Sequence, residues 1–318
     1  VKKIKTLTKN EKLISVILIA VALNAFTFCV AFPETFKPES GTWARDFSAY
    51  YIGEWRLFHN PTTIYWGGAQ PGDYQILPSP QTFKYTPSFL ILFAPFLALS
   101  YRNALTVFDI IQVALLPALA FFVYKMVKDK NLVFAAVAAV IVLIEPLPTP
   151  PLNQTALNLL QYRFFSLNAQ SFSPSYYIGY LLANAHVLQT CILVGALYFG
   201  FTKKPWISAL LFAIGSFDPR GALLALPLLL WYNRKQIRPF IIGAASFLAI
   251  TNLPFFFYHD IGLTFLRSET SGTIISQMYP YDWLPLYAVA ALTIIEIINT
   301  GKNTKIQSFS LTGRKKET

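Results

Sequence analysis

The chain has 318 residues, 54% of them hydrophobic and 13% charged, with a mean hydropathy of +0.46. A soluble domain carries roughly 25% charged residues, so the composition excludes an ordinary soluble protein and points to spans of ~20 apolar residues each. The net charge of +11 does not make it a nucleic-acid binder. Of the 26 Lys and Arg, 18 sit in five short clusters (1–12, 125–130, 203–204, 233–238 and 302–317) that hold three acids, Glu11, Asp129 and Glu317, the pattern of cytoplasmic loops between spans. Cys29 and Cys191 lie inside apolar runs, and the three histidines lack metal-ligand spacing, so no disulfide framework, metal site or cofactor is expected.

In chain order, Leu13–Phe32 reads as an uncleaved first span, longer than the apolar core of a signal peptide. Residues 33–85 read as a long extracytoplasmic loop punctuated by prolines and by Gly67-Gly68. Within it, 46–58 is expected to be helical. Phe47, Tyr51, Trp55 and Phe58 recur at helical spacing, and such an aromatic stripe predicts a helix lying on the bilayer surface. Asp46 and Tyr50 share the neighbouring face at i and i+4.

Thr86 to Leu99 is apolar but covers only 14 residues and is broken at Pro95, so it is expected to be re-entrant rather than a full crossing. Spans follow at 104–124 and 131–146, then a Pro-rich outer loop over 147–177 with the sequon Asn153-Gln154-Thr155, then a span at 178–201. The short apolar runs 205–217 and 221–232 predict a helical hairpin with Asp218-Pro219-Arg220 at its tip. A span at 239–258, an outer loop at 259–280 and a span at 281–299 precede the basic tail, 300–318. If 86–99 does not cross, all five basic clusters fall on one side, and the loops left outside hold six basic and seven acidic residues. The expectation is therefore one all-α domain over 1–318: a polytopic transmembrane bundle in the cell membrane, both termini cytoplasmic, with a long extracytoplasmic first loop carrying an interfacial helix.

Ionisable residues at membrane depth are candidates for function; here they are Asp109, Glu145, His186, Asp218, Arg220 and Glu296. Pairing of Asp218 with Arg220 is the structural alternative for that couple. No nucleophile elbow, phosphate loop or zinc-protease motif is present. Asp46 stands out. The dipole at the start of its helix favours a carboxylate, which is equipped either to cap that helix or to act as a general base toward a hydroxyl.

Several stretches carry a resemblance. Arg45-Asp46-Phe47 with Tyr50-Tyr51, Asn60-Pro61 with Ile64-Tyr65, Phe83-Lys84-Tyr85-Thr86-Pro87-Ser88-Phe89 and Ala94-Pro95-Phe96 together resemble the GT-C integral-membrane glycosyltransferases. The chain is most similar to glycosyltransferase family 87, the polyprenol-phosphate-mannose-dependent mannosyltransferases. Asn184-Ala185-His186 and Ser216-Phe217-Asp218-Pro219-Arg220 stand where that family has Asn-Gly-Gln and a Lys-Pro helix end, so Thr86, His186 and Asp218 depart from its pattern. The resemblance covers roughly residues 10–240.

It implies an inverting transfer of a hexose, mannose in the family, from a polyprenyl-phosphate donor to a lipid or glycan hydroxyl, with Asp46 as base. Arg220, Lys84 and His186 would meet the donor phosphate. Arg45, Tyr50, Tyr51, Tyr85, Asn184 and Asp218 would line the substrates. The lack of an Asp-x-Asp motif leaves no metal implied. The alternative is a non-catalytic, transporter- or flippase-like protein of the same architecture.

Overall fold

The structure is a computed structural model that describes residues 8–34, 45–66, 70–73, 82–127, 185–270 and 294. Glu145, the 131–146 span, the 147–177 loop with its sequon, Asn184, the 281–299 span with Glu296, and the basic tail lie outside the described residues.

All described regular structure is helical, with no strand among the described residues. The α-helices are α1 (Lys9–Glu34), α2 (Arg45–His59), α3 (Ser88–Phe93), α4 (Tyr101–Val127), α5 (His186–Phe201), α6 (Pro205–Gly215), α7 (Pro219–Tyr232), α8 (Ile237–Asn252), α9 (Pro254–Phe257) and α10 (Ile261–Thr270). Proline opens α6, α7 and α9, where its missing N–H costs nothing and its fixed φ already suits a helix. Two stretches, Tyr101–Met126 and Arg234–Phe257, are long and apolar enough to cross a membrane.

Side-chain contacts fix the helix directions. The Cys191 thiol faces the Leu115 carbonyl at 3.7 Å, and Phe122 packs 5.4 Å from Tyr198, so α4 and α5 run parallel. Going back along both, Tyr50 touches Phe108 and the Ala185 N–H. α6 runs antiparallel to α5: the Ser208 hydroxyl donates to the Ala196 carbonyl at 2.8 Å, and Gln189 donates to the Gly215 carbonyl at 2.7 Å. α7 turns back beside α5, bringing Tyr232 to 6.0 Å from Phe201.

These directions give the bundle two chemically distinct ends. At one, Lys125 lies over Phe121, Lys204 over Phe199 and Arg234 over Trp231. Leu13 and Ile17, just after Lys12, join the same cluster as Leu119, Ala120 and Val123 of α4. The basic clusters at Lys12, Lys125, Lys203-Lys204 and Arg234-Lys235 thus gather there. At the other end, α2, α3, the hairpin tip and α9 close over an aromatic core that runs from Phe47 to Phe255.

The segment 86–99 begins and ends at this second end. Tyr85 is tied to Tyr50, while the Leu99 carbonyl accepts from the Tyr51 hydroxyl at 2.8 Å. The apolar run folds as the short α3 followed by a 3-10 turn over Ala94–Ala98. A proline at its second residue prevents continuation as an α-helix.

One expectation needs correction. The stripe Phe47, Tyr51, Trp55, Phe58 does not face outward together. Phe47 and Tyr51 are buried in the protein, against Phe93, Phe96, Tyr101 and Phe108. Trp55 stacks on His59 at 3.8 Å and donates to the Gly72 carbonyl, and Phe58 alone is widely open, at 62%. The reason is the return of 86–99. Once α3 and the start of α4 lie beside α2, protein rings cover the N-terminal half of the stripe, and ring-to-ring contact competes with lipid for it.

Candidate functional site

Tyr50 is the hub. Its ring is fully buried, edge-on to Tyr85, Phe89 and Phe93 at 5.0–5.1 Å. Its hydroxyl oxygen accepts the Ala185 N–H at 3.1 Å and lies 3.0 Å from the Tyr85 hydroxyl, either of which donates to the other. Burial first, then Tyr85 and the charge of Asp46, push the Tyr50 phenol well above its usual range, so it stays protonated. Asp46, the second residue of α2, is half-buried one helical turn away, close enough for that charge to register.

Around this hub four separated stretches meet: the start of α2, the non-helical segment 82–87, the start of α5 and the hairpin tip 216–219. The Thr86 N–H donates to the Phe217 carbonyl at 2.9 Å, and Phe217 stacks on Phe89 at 4.3 Å. Gln189 donates to both the Gly215 and the Asp218 carbonyls, at 2.7 and 2.8 Å, clamping the tip onto α5. Helix carbonyls at such a break would otherwise be orphaned. Asp218 is buried at the tip.

The named residues fall as follows. Arg45 opens α2, His186 opens α5 and Arg220 lies in the first turn of α7, all at the end of the bundle that holds Asp46. Lys84 is exposed on the segment leading to Tyr85. Tyr50, Tyr51 and Tyr85 are buried and, among the described residues, pack against other rings and one another.

Sequence reasoning missed several members. Gln189 and Gln112 are buried amides inside apolar helices, and their polarity in such runs was the available signal. Asp109, a candidate from the sequence, is fully buried on α4, one turn from Gln112, and neither side chain has a hydrogen-bond partner among the described residues. Arg56 is fully buried and makes a two-pronged pair with Asp73, at 2.9 and 2.6 Å. It also donates to the Thr63 and Trp66 carbonyls, and so ties the loop after α2 onto the helix. Burial pushes the Asp73 carboxyl up, but the Arg56 hydrogen bond, the Gln70 N–H and the Arg56 charge outweigh it and hold the group below its usual range. Glu54 is buried with both carboxyl oxygens unpartnered, and burial pushes it up to about 8.

Comparison with protein-family models, with curated proteins and with solved structures finds no match to this chain.

Proposed function

We propose that the chain is a polytopic membrane glycosyltransferase of the GT-C kind, most like family 87. It would transfer a hexose, as the resemblance implies mannose, from a polyprenyl-phosphate donor. The observation that carries the proposal is the meeting of four sequence-distant stretches, each part of the family-like pattern, at the end of the bundle opposite the basic clusters. With the basic end in the cytoplasm, Asp46 faces outward at the membrane surface, α2 belongs to an extracytoplasmic loop, and 86–99 is re-entrant.

In this reading the Asp46 carboxylate takes the proton of the acceptor hydroxyl. The freed oxygen attacks the anomeric carbon from the face opposite the phosphate, the carbon–oxygen bond to phosphate breaks, and the polyprenyl phosphate departs as an anion. Inversion follows from the single displacement. Phosphate is a stable leaving group, so one carboxylate suffices. Fixed cations opposite the developing charge supply electrostatic stabilisation, the role given to Arg220, Lys84 and His186. Tyr50 and Tyr85 hold the base's helix against the hairpin tip.

The test is transfer of labelled mannose from polyprenyl-phosphate-mannose by membranes containing the protein. Wild type should transfer, and Asp46→Asn should reduce transfer by at least 10²-fold at unchanged expression and insertion. Full activity of Asp46→Asn would overturn the assignment. A second reading, a lipid-phosphate carrier without catalysis, draws on Asp109 and Gln112, which are buried and unpartnered within a span. It requires that Asp46→Asn change little and that Asp109→Asn abolish lipid movement.

A further inference from the structure

The basic end carries a cavity of about 160 Å³ between the α5–α6 loop and the α7–α8 loop, well above the roughly 10–15 Å³ that holds one water. Gly200, Tyr232 and Asn233 are among its lining residues, and Lys203, Arg234 and Lys235 are its charged members. From residue 201 to 240 the one acid is Asp218, at the opposite end of the hairpin, so nothing in these loops neutralises the three cations. Neither Lys203 nor Lys235 has an ion-pair partner among the described residues, and both are exposed.

The cavity is built rather than incidental. Asn233 is 2% exposed, and its amide nitrogen donates to the Ser208 hydroxyl at 3.1 Å and the Leu229 carbonyl at 2.9 Å; Ser208 in turn donates to Ala196. This chain fixes α5, α6 and α7 relative to one another beneath the cations. A Cβ at Gly200 would lie 2.7 Å from the Asn233 amide nitrogen, so glycine is what allows that approach. Lys203 adopts φ 61°, a left-handed turn that brings its side chain to the cavity wall. Arg234 stacks on Trp231 at 4.0 Å and uses one guanidinium N–H on the Trp231 carbonyl, which leaves other donors of its fork for a second acceptor.

We infer that this cavity binds the phosphate of an anionic phosphodiester headgroup, separately from the sugar-transfer site. Two features favour a lipid over a soluble phosphate ester. Trp231, on which the lining Arg234 stacks, and Trp206, 52% exposed at the start of α6, lie at the same end of the bundle as the cavity, and tryptophans of this kind mark the headgroup level of a bilayer. Basic pockets between helix ends also have the chemistry that anionic headgroups seek. The lipid source rests on the membrane reading above; the phosphate chemistry does not.

The experiment is native mass spectrometry of detergent-purified full chain, titrated with phosphatidylglycerol, with phosphatidylcholine and with water-soluble glycerol 1-phosphate. Phosphatidylglycerol should bind at least tenfold more tightly than phosphatidylcholine. Each neighbouring Lys or Arg contributes roughly 1 kcal/mol toward an anionic lipid surface, so Arg234→Gln with Lys235→Gln should weaken binding roughly 30-fold. Lys125→Gln, a cation at the same end but outside the cavity, should leave it unchanged. Glycerol 1-phosphate binding as tightly as the lipid would assign the site to soluble phosphate esters instead. Equal loss with Lys125→Gln, or no preference over phosphatidylcholine, would overturn the site. Sugar transfer is read separately, so neither result bears on Asp46.

Discussion

Arg56 and Asp73 show how a single pair governs a loop. Both charges are largely out of water, and the guanidinium also serves two carbonyls. Removing one partner strands the other, which typically costs ~3–5 kcal/mol. Asp73→Asn should therefore destabilise the purified protein by about that much in thermal unfolding, and far more than replacement of an exposed acid such as Asp260. Glu54 behaves differently. Its folded pKa stands at about 8, above its ordinary value of 4.5, so between those values the folded chain holds a proton that the unfolded chain has released. Its contribution is complete below about pH 4.5 and is lost as pH rises through about 8. The melting temperature of wild type should fall from pH 5 to pH 8.5 by more than that of Glu54→Gln, measured side by side. Tyr50→Phe should cost ~1–3 kcal/mol, because it leaves the buried Ala185 N–H without its acceptor. None of these three roles is legible in the sequence. Arg56 and Asp73 are 17 positions apart with no pattern to join them, and Glu54 looks like any polar residue on a surface helix. What the sequence makes legible for Asp46 is its place in the first turn of α2.

At the level of helices, periodicity located most of the described elements. The expected 46–58 helix extends from Arg45 to His59, and the 205–217 and 221–232 runs form α6 and α7 around the foreseen Asp218 tip. What periodicity does not reveal is which partner covers a stripe. Lipid and protein accept the same apolar face, so the burial of Phe47 and Tyr51 depended on where 86–99 returned. The contact of α6 with α8 rests on a close approach of a similar kind. A Cβ at Gly243 would lie 2.9 Å from the Trp206 ring and 3.0 Å from the Ala209 Cβ. Gly243→Val should cost ~1–3 kcal/mol by overpacking, whereas valine in place of the exposed Ala245 of α8 should be nearly neutral.

For the molecule as a whole, the two ends are readable from charge in the sequence, because basic clusters recur between apolar runs and acids do not. The parallel course of α4 and α5 is readable in the same way, since both runs end at a basic cluster, Lys125 for one and Lys203-Lys204 for the other. In cells, cysteine placed at position 62 should react with an impermeant maleimide from outside, and cysteine at 203 should not. The reverse result would invert the membrane reading while leaving the helix packing intact.

The length of the hairpin has a consequence of its own. At 1.5 Å per residue, the 11 residues of α6 span about 16 Å and the 14 of α7 about 21 Å, against a hydrocarbon layer of about 30 Å. In a bilayer the tip therefore stops short of the far surface, and its backbone polar groups are shielded by Gln189 and Thr86 instead of water. Lipids around α6 and α7 must thin to meet it, at a cost of fractions of a kcal/mol for each Å of mismatch. On the glycosyltransferase reading proposed above, reconstituted activity should then decline as acyl chains lengthen, and a long isoprenoid donor would offer its headgroup from a dimple rather than from the crest of the membrane.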